Sequence, residues 1–81
     1  MRLETQRDFL MAYRWAYYVK ATSLVSDFDY DKLEKQYLVA GGYALPVGSS
    51  RPEDYSLAQR ALGLYLILKG HEDQRDGDSL L

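Results

Sequence analysis

The chain has 81 residues, a formal net charge of -2 and no cysteine. That length supports one small domain with a modest core. The missing cysteines exclude disulfides and thiolate metal sites, and the charge argues against a broad nucleic-acid-binding surface. Arg2, Glu4, Arg7 and Asp8 break any signal-peptide pattern. No apolar run reaches the roughly 20 residues of a membrane span, so the expected setting is the cytoplasm, away from any membrane. Eight tyrosines stand against two phenylalanines. Tyrosine offers a flat apolar face and a hydroxyl, which suits both small cores and binding surfaces.

The pattern predicts an all-α domain over residues 1–70, with an antiparallel helical hairpin, a third helix and a flexible acidic tail over 71–81. The first helix is expected from about Leu3 to Lys20, capped by Thr5 or a neighbour. Phe9, Ala12, Ala16 and Val19 form one stripe at three- and four-residue spacing, with Leu10, Tyr13 and Tyr17 beside it. Met11, Trp15 and Tyr18 widen the apolar surface. Ala21 to Val25 is a short turn. Ser26 is an N-cap, Asp27 and Asp29 suit a first helical turn, and the second helix runs to about Val39 with Tyr30, Leu33 and Tyr37 on one face. Gly41 and Gly42 stop it, and Pro46, Gly48 and the serines make a loop. Ser50 and Glu53 fit a capping box with Pro52 in the first turn. A third helix is expected from there to about Lys69, ended by Gly70. Its residues Ala58, Ala61, Leu62, Tyr65 and Leu68 are expected to point one way, while Leu57, Leu64 and Ile67 lie elsewhere on the wheel. A helix apolar all round is deeply buried or shared with a partner. Tyr13, Tyr37 and Tyr65 are expected in the core.

The segment "VSDFDYDKLEK" places Asp27, Asp29 and Asp31 around two aromatic rings. Asp27, Tyr30 and Asp31 stand at i, i+3 and i+4 and share a helix face. One reading is an ordinary acidic helix start, in which the helix dipole favours the carboxylates. The other is a ligand notch. A short turn makes the first two helices an antiparallel hairpin, bringing Tyr17 and Tyr18 near Asp27, Tyr30 and Asp31. Aromatic walls with carboxylate edges suit a flat ring that is cationic or bears an amide.

At these residues "YYVKATSLVSDFDYDKLEKQY" resembles the N-terminal helical domain of bacterial NAD-dependent DNA ligases. That family carries a Tyr usually followed by His, about eight residues, then a pattern like (S/P)-D-x-x-Y-D-x-L. The matching positions are Tyr17, Tyr18, Ser26, Asp27, Tyr30, Asp31 and Leu33, within roughly residues 9–38. The resemblance implies a site for the nicotinamide mononucleotide (NMN) half of NAD, with Tyr17 and Tyr30 flanking the nicotinamide ring. It also implies contacts from Asp27 and Asp31 to the amide, ribose or phosphate surroundings. Tyr18 stands at the usual histidine position and cannot offer an imidazole beside a phosphate; Arg14, one turn earlier, is a candidate replacement. The ligase's Lys-x-Asp-Gly motif has only the echo "QRDG" at Gln74 to Gly77, without the lysine nucleophile. The expectation is therefore a non-enzymatic module that binds NAD or NMN or serves a ligase as an accessory.

The alternative is a small interaction or inhibitor protein, of mobile-element origin, that uses the hairpin and the apolar third helix to dimerise or to bind a larger enzyme. Lone His71 makes no metal site or triad without partners, and no metal is expected. Ser23, Ser26, Ser49, Ser50 and Ser56 suit turns and caps better than nucleophiles. Pro46 and Gly48 lack the lysine and glycine spacing of a phosphate-binding loop.

Overall fold

In the computed structural model, helix α1 (Leu3–Tyr18) is the central element, flanked by α2 (Asp27–Val39) and by α3 (Leu57–Leu80). The structure describes the backbone of residues 2–80 and the side chains of residues 2–70. The acidic tail expected over 71–81, with His71 and the Gln74–Gly77 string, lies outside the described side chains. A single 3-10 turn, Pro52–Asp54, precedes α3, and no strand occurs among the described residues. The all-α hairpin with a third helix is thus observed.

The first two helices begin and end for local reasons. Arg2 occupies the N-cap of α1 without a side-chain bond, so Thr5 is an interior residue and not a cap. The turn after α1 is closed by the Thr22 N–H donating to the Ala16 carbonyl at 2.8 Å, with Ala21 at a positive φ of 52°. An L-residue held there costs about 1–2 kcal/mol. Helix α2 starts where Ser26 Oγ accepts from the Asp29 N–H at 3.1 Å. It ends in a Schellman closure, with the Gly42 and Gly41 N–H groups donating to the Tyr37 and Leu38 carbonyls. Gly41 takes the required positive φ of 104°, a conformation that only glycine adopts cheaply.

The start of α3 differs from expectation. Ser50 and Glu53 do not form the capping box; Ser56 and Gln59 do. The Gln59 N–H donates to Ser56 Oγ and the Ser56 N–H to Gln59 Oε1, both at 3.1 Å, which satisfies two otherwise orphaned helix donors. Tyr55, just before this box, decides the matter. Its ring is buried and its hydroxyl donates to the Ser49 carbonyl at 2.7 Å, so the chain must pass Tyr55 before a helix can begin. The third helix also extends past Lys69 and Gly70, where its end was expected.

The core consists of Met11, Trp15, Ala16 and Tyr55, with Val19, Leu24, Leu45 and Ile67 against it. Helix α3 meets α1 through its smallest residue. A β-carbon at Gly63 would lie 2.4 Å from Trp15 Cε3, closer than any real contact, and 3.3 Å from the Ala12 carbonyl oxygen. Ala12 and Ala16 are completely buried at this crossing, so small residues let the two backbones approach. Gln59, also buried, donates from Nε2 to Asp8 Oδ1 at 3.1 Å and ties the same two helices. The inward face of α3 therefore runs through Gln59, Gly63 and Ile67. The face expected inward is not: Ala58, Ala61, Tyr65 and Leu68 are exposed, with Tyr65 at 58 %. Close approach at Gly63 outweighs the larger side chains in setting the rotation of the helix. Tyr37 is buried as expected, and Tyr13 is half-buried.

Candidate functional site

The expected notch exists where α1 ends and α2 begins. A cavity of about 240 Å³ is lined by Tyr13, Arg14, Tyr17 and Tyr18 of α1, by Ser23 to Val25 of the turn, and by Asp27 and Tyr30 of α2. Gly48 completes the lining from the loop between α2 and the 3-10 turn. The Tyr17 and Tyr18 rings meet edge to face, with centroids 5.1 Å apart and planes at 88°, so they form a corner. The loop closes one side of it, because Gly48 lies directly against the Tyr18 ring and leaves no room for a side chain there. Small-molecule pockets usually enclose roughly 300–1,000 Å³. This smaller space fits one ring with part of its substituent, not a whole dinucleotide.

Four of the five residues expected at the site line this cavity: Tyr17, Tyr18, Asp27 and Tyr30. Asp31 does not; it is exposed and outside the lining. Helix geometry gives the reason. Tyr30, Glu34 and Tyr37 form the inner line of α2. At roughly 100° per residue, Asp27 lies about 60° from Tyr30, at the rim, and Asp31 about 100° away, beyond it. Sharing a face with Asp27 is not enough to bring Asp31 to the notch.

Arg14 organises the site. Its Nε–H donates to Tyr30 Oη, one Nη1–H to the Pro46 carbonyl and one Nη2–H to Glu34 Oε2 at 3.3 Å. Its guanidinium carbon is also 5.8 Å from the Tyr30 ring centroid, in cation–π range. One side chain thus joins α1, α2 and the loop. Burial works against its charge, but the hydrogen bonds and charges of Tyr30 and Glu34 outweigh that and raise its pKa above the ordinary value. Burial pushes the Tyr30 hydroxyl from 10.0 up to about 12, opposed by Arg14 and reinforced by Glu34. The phosphate contact considered for Arg14 would compete with three existing acceptors.

Four of the serines have structural partners. Ser23 Oγ donates to the Val25 carbonyl and Ser49 Oγ to Asp54 Oδ2, while Ser26 and Ser56 cap helices. A second hollow of about 370 Å³ lies between α1 and α2, along Phe9, Leu10, Tyr13 and Leu33. Among the described residues, no group of three or more His, Cys, Asp or Glu side chains is placed to hold a metal ion. No helix among them is long and apolar enough to cross a membrane. In comparisons with known proteins, no family model, no curated protein and no solved structure matches the chain.

Proposed function

We propose that this chain is a small, non-catalytic helical module that binds the nicotinamide end of NAD or NMN in the notch between α1 and α2. The observation that carries this reading is the convergence of Tyr17, Tyr18, Asp27 and Tyr30 on one ring-sized cavity. The rings offer stacking faces and Asp27 accepts hydrogen bonds from an amide or a ribose. A binding role rather than a chemical one is supported by the two most constrained groups at the site. A tyrosine with a pKa near 12 and an arginine held charged do not exchange protons near neutral pH. Such a module would work in the cytoplasm, where it would hold the nucleotide for a separate enzyme, such as a ligase it accompanies.

The test is calorimetry with NMN, NAD and AMP. Both nicotinamide compounds should bind and AMP should not. Asp27→Ala should weaken binding, while Asp31→Ala, outside the notch, should leave it unchanged. Failure of both nicotinamide compounds to bind at millimolar concentration overturns the reading.

A second reading rests on a different surface. Leu57, Leu64, Tyr65 and Leu68 are all exposed along one side of α3, and this spacing is that of a helix seam. It favours a protein-interaction module, docked on a second copy or on a larger enzyme. Solution mass checks it: a monomer that recruits no partner argues against it, and Leu64→Glu should dissolve any assembly without disturbing nucleotide binding.

A further inference from the structure

The charge balance of the notch is specific. Among its lining residues Arg14 is positive and Asp27 is negative. Arg14, however, is already paired with Glu34 at 3.3 Å, and its side chain is only 16 % exposed. That ion pair is locally neutral and is further occupied by Tyr30 and the Pro46 carbonyl. The Asp27 carboxylate at the rim is thus left without a cationic partner among the described contacts, and Asp29 and Asp31 stand exposed on the same end of α2. Four tyrosines, Tyr13, Tyr17, Tyr18 and Tyr30, supply the aromatic part of the lining, and uncharged Ser23, Leu24, Val25 and Gly48 complete it. Tyrosine ring faces are electron-rich and attract cations within about 6 Å.

We propose that this notch selects a permanently cationic organic head group, a pyridinium ring or a quaternary ammonium, over its neutral counterpart. The ring faces of Tyr17, Tyr18 and Tyr30 supply the attraction, and the unpaired Asp27 carboxylate at the rim sets the sign. The inference deepens the nicotinamide reading by naming the charge state the site prefers: the oxidised pyridinium form binds more tightly than the neutral dihydro form. It depends on that reading only through the shared cavity, because a quaternary ammonium without any nicotinamide meets the same requirements. An anionic head group is disfavoured, since the one guanidinium present is already committed.

The test uses the full chain and pairs of closely matched probes, one member cationic and the other neutral at the ring. The first pair is the 1-methylnicotinamide cation against neutral nicotinamide. The second is NMN against reduced NMN, which carry the same phosphate. Choline is the third arm. Cation–π attraction of about 0.5–2 kcal/mol corresponds to a preference of roughly two- to thirty-fold, so each charged member should bind about ten-fold more tightly. Asp27→Asn should reduce that ratio several-fold, and Tyr17→Phe, which keeps the ring face, should preserve it. Circular dichroism confirms the fold of both variants. Equal affinity for the charged and neutral members overturns cation selection and leaves the nicotinamide reading standing. Binding of choline or 1-methylnicotinamide with no binding of NMN supports cation selection and overturns the nucleotide reading. No binding of any probe at millimolar concentration overturns both.

Discussion

Replacing Arg14 by methionine keeps most of the apolar stem and removes the guanidinium. Three hydrogen bonds vanish, to Tyr30, Glu34 and Pro46. A hydrogen bond to a charged group is worth about 1.5–3 kcal/mol, but these three are not equal. Pro46 is exposed, and the Glu34 side chain is 31 % exposed; both regain water, so each loss is discounted to about 0–1 kcal/mol. The bond to half-buried Tyr30 keeps most of its value. The sum is about 2–3 kcal/mol, against a total stability of roughly 4–12 kcal/mol for a chain of this length. For a small domain each kcal/mol moves Tm by about 4–8 °C, so Arg14→Met should lower Tm by about 10–20 °C. Urea unfolding of Arg14→Met, Tyr30→Phe and the double variant gives the decisive quantity. Contacting residues in one network show coupling of about 0.5–3 kcal/mol, and a value near 1 is expected here. If Arg14→Met costs under about 0.5 kcal/mol and the two substitutions add, the guanidinium is not the tie between the helices and the loop.

Two further outcomes follow from the glycines and from Tyr30. Gly63→Ala should destabilise the fold by about 1–2 kcal/mol, because overpacking against Trp15 exceeds the roughly 1 kcal/mol that alanine gains in a helix. Gly70→Ala, where an added β-carbon meets open space, should instead stabilise by up to about 1 kcal/mol; thermal unfolding of the pair checks the opposite signs. Tyr30 titrates near 12 when folded and near 10.0 ordinarily. The unfolded state therefore loses its proton first as pH rises. Its contribution is fully present below pH 10 and is lost between about 10 and 12. The single rise from 10.0 to about 12 corresponds to about 2.7 kcal/mol, reduced to about 1–2 kcal/mol by the partial exposure of the ring. Urea unfolding at a series of alkaline pH values should show this slope in the wild type and a smaller one in Tyr30→Phe, where Tyr55, whose hydroxyl burial also pushes up, still contributes.

The hairpin was legible because its signals are local. Ser26 ahead of Asp27 and Asp29, and the Gly41–Gly42 pair, act within a few residues of themselves, and their geometry matches expectation. The notch followed from them, since a short turn leaves few ways to place Tyr17 and Tyr18 against Tyr30. The capping box of α3 was ambiguous because Ser50–Glu53 and Ser56–Gln59 carry the same local chemistry. Only the burial of Tyr55, a tertiary fact, separates them. The rotation of α3 was hidden for a related reason: hydrophobicity pointed to Tyr65 and Leu68, whereas the contact is set by Gly63, the residue with least side chain to count. Arg14 and the loop wall were the least visible. The partners of Arg14 are distant in sequence, 16 to 32 residues away, and no periodicity encodes them.

The contact of Gly48 with the Tyr18 ring also ties recognition to the position of the loop. The hydroxyl end of that ring is already covered by the Gly48 backbone, so a guest can use that side only by lifting residues 46–50 away. The loop is held at both ends of that stretch, by the Arg14 bond to Pro46 and the Tyr55 bond to Ser49. A ligand content with the open side enters without disturbing the chain, and its arrival is fast. One that needs the covered side waits for the loop to open, and its association rate then saturates at the opening rate, independent of ligand concentration.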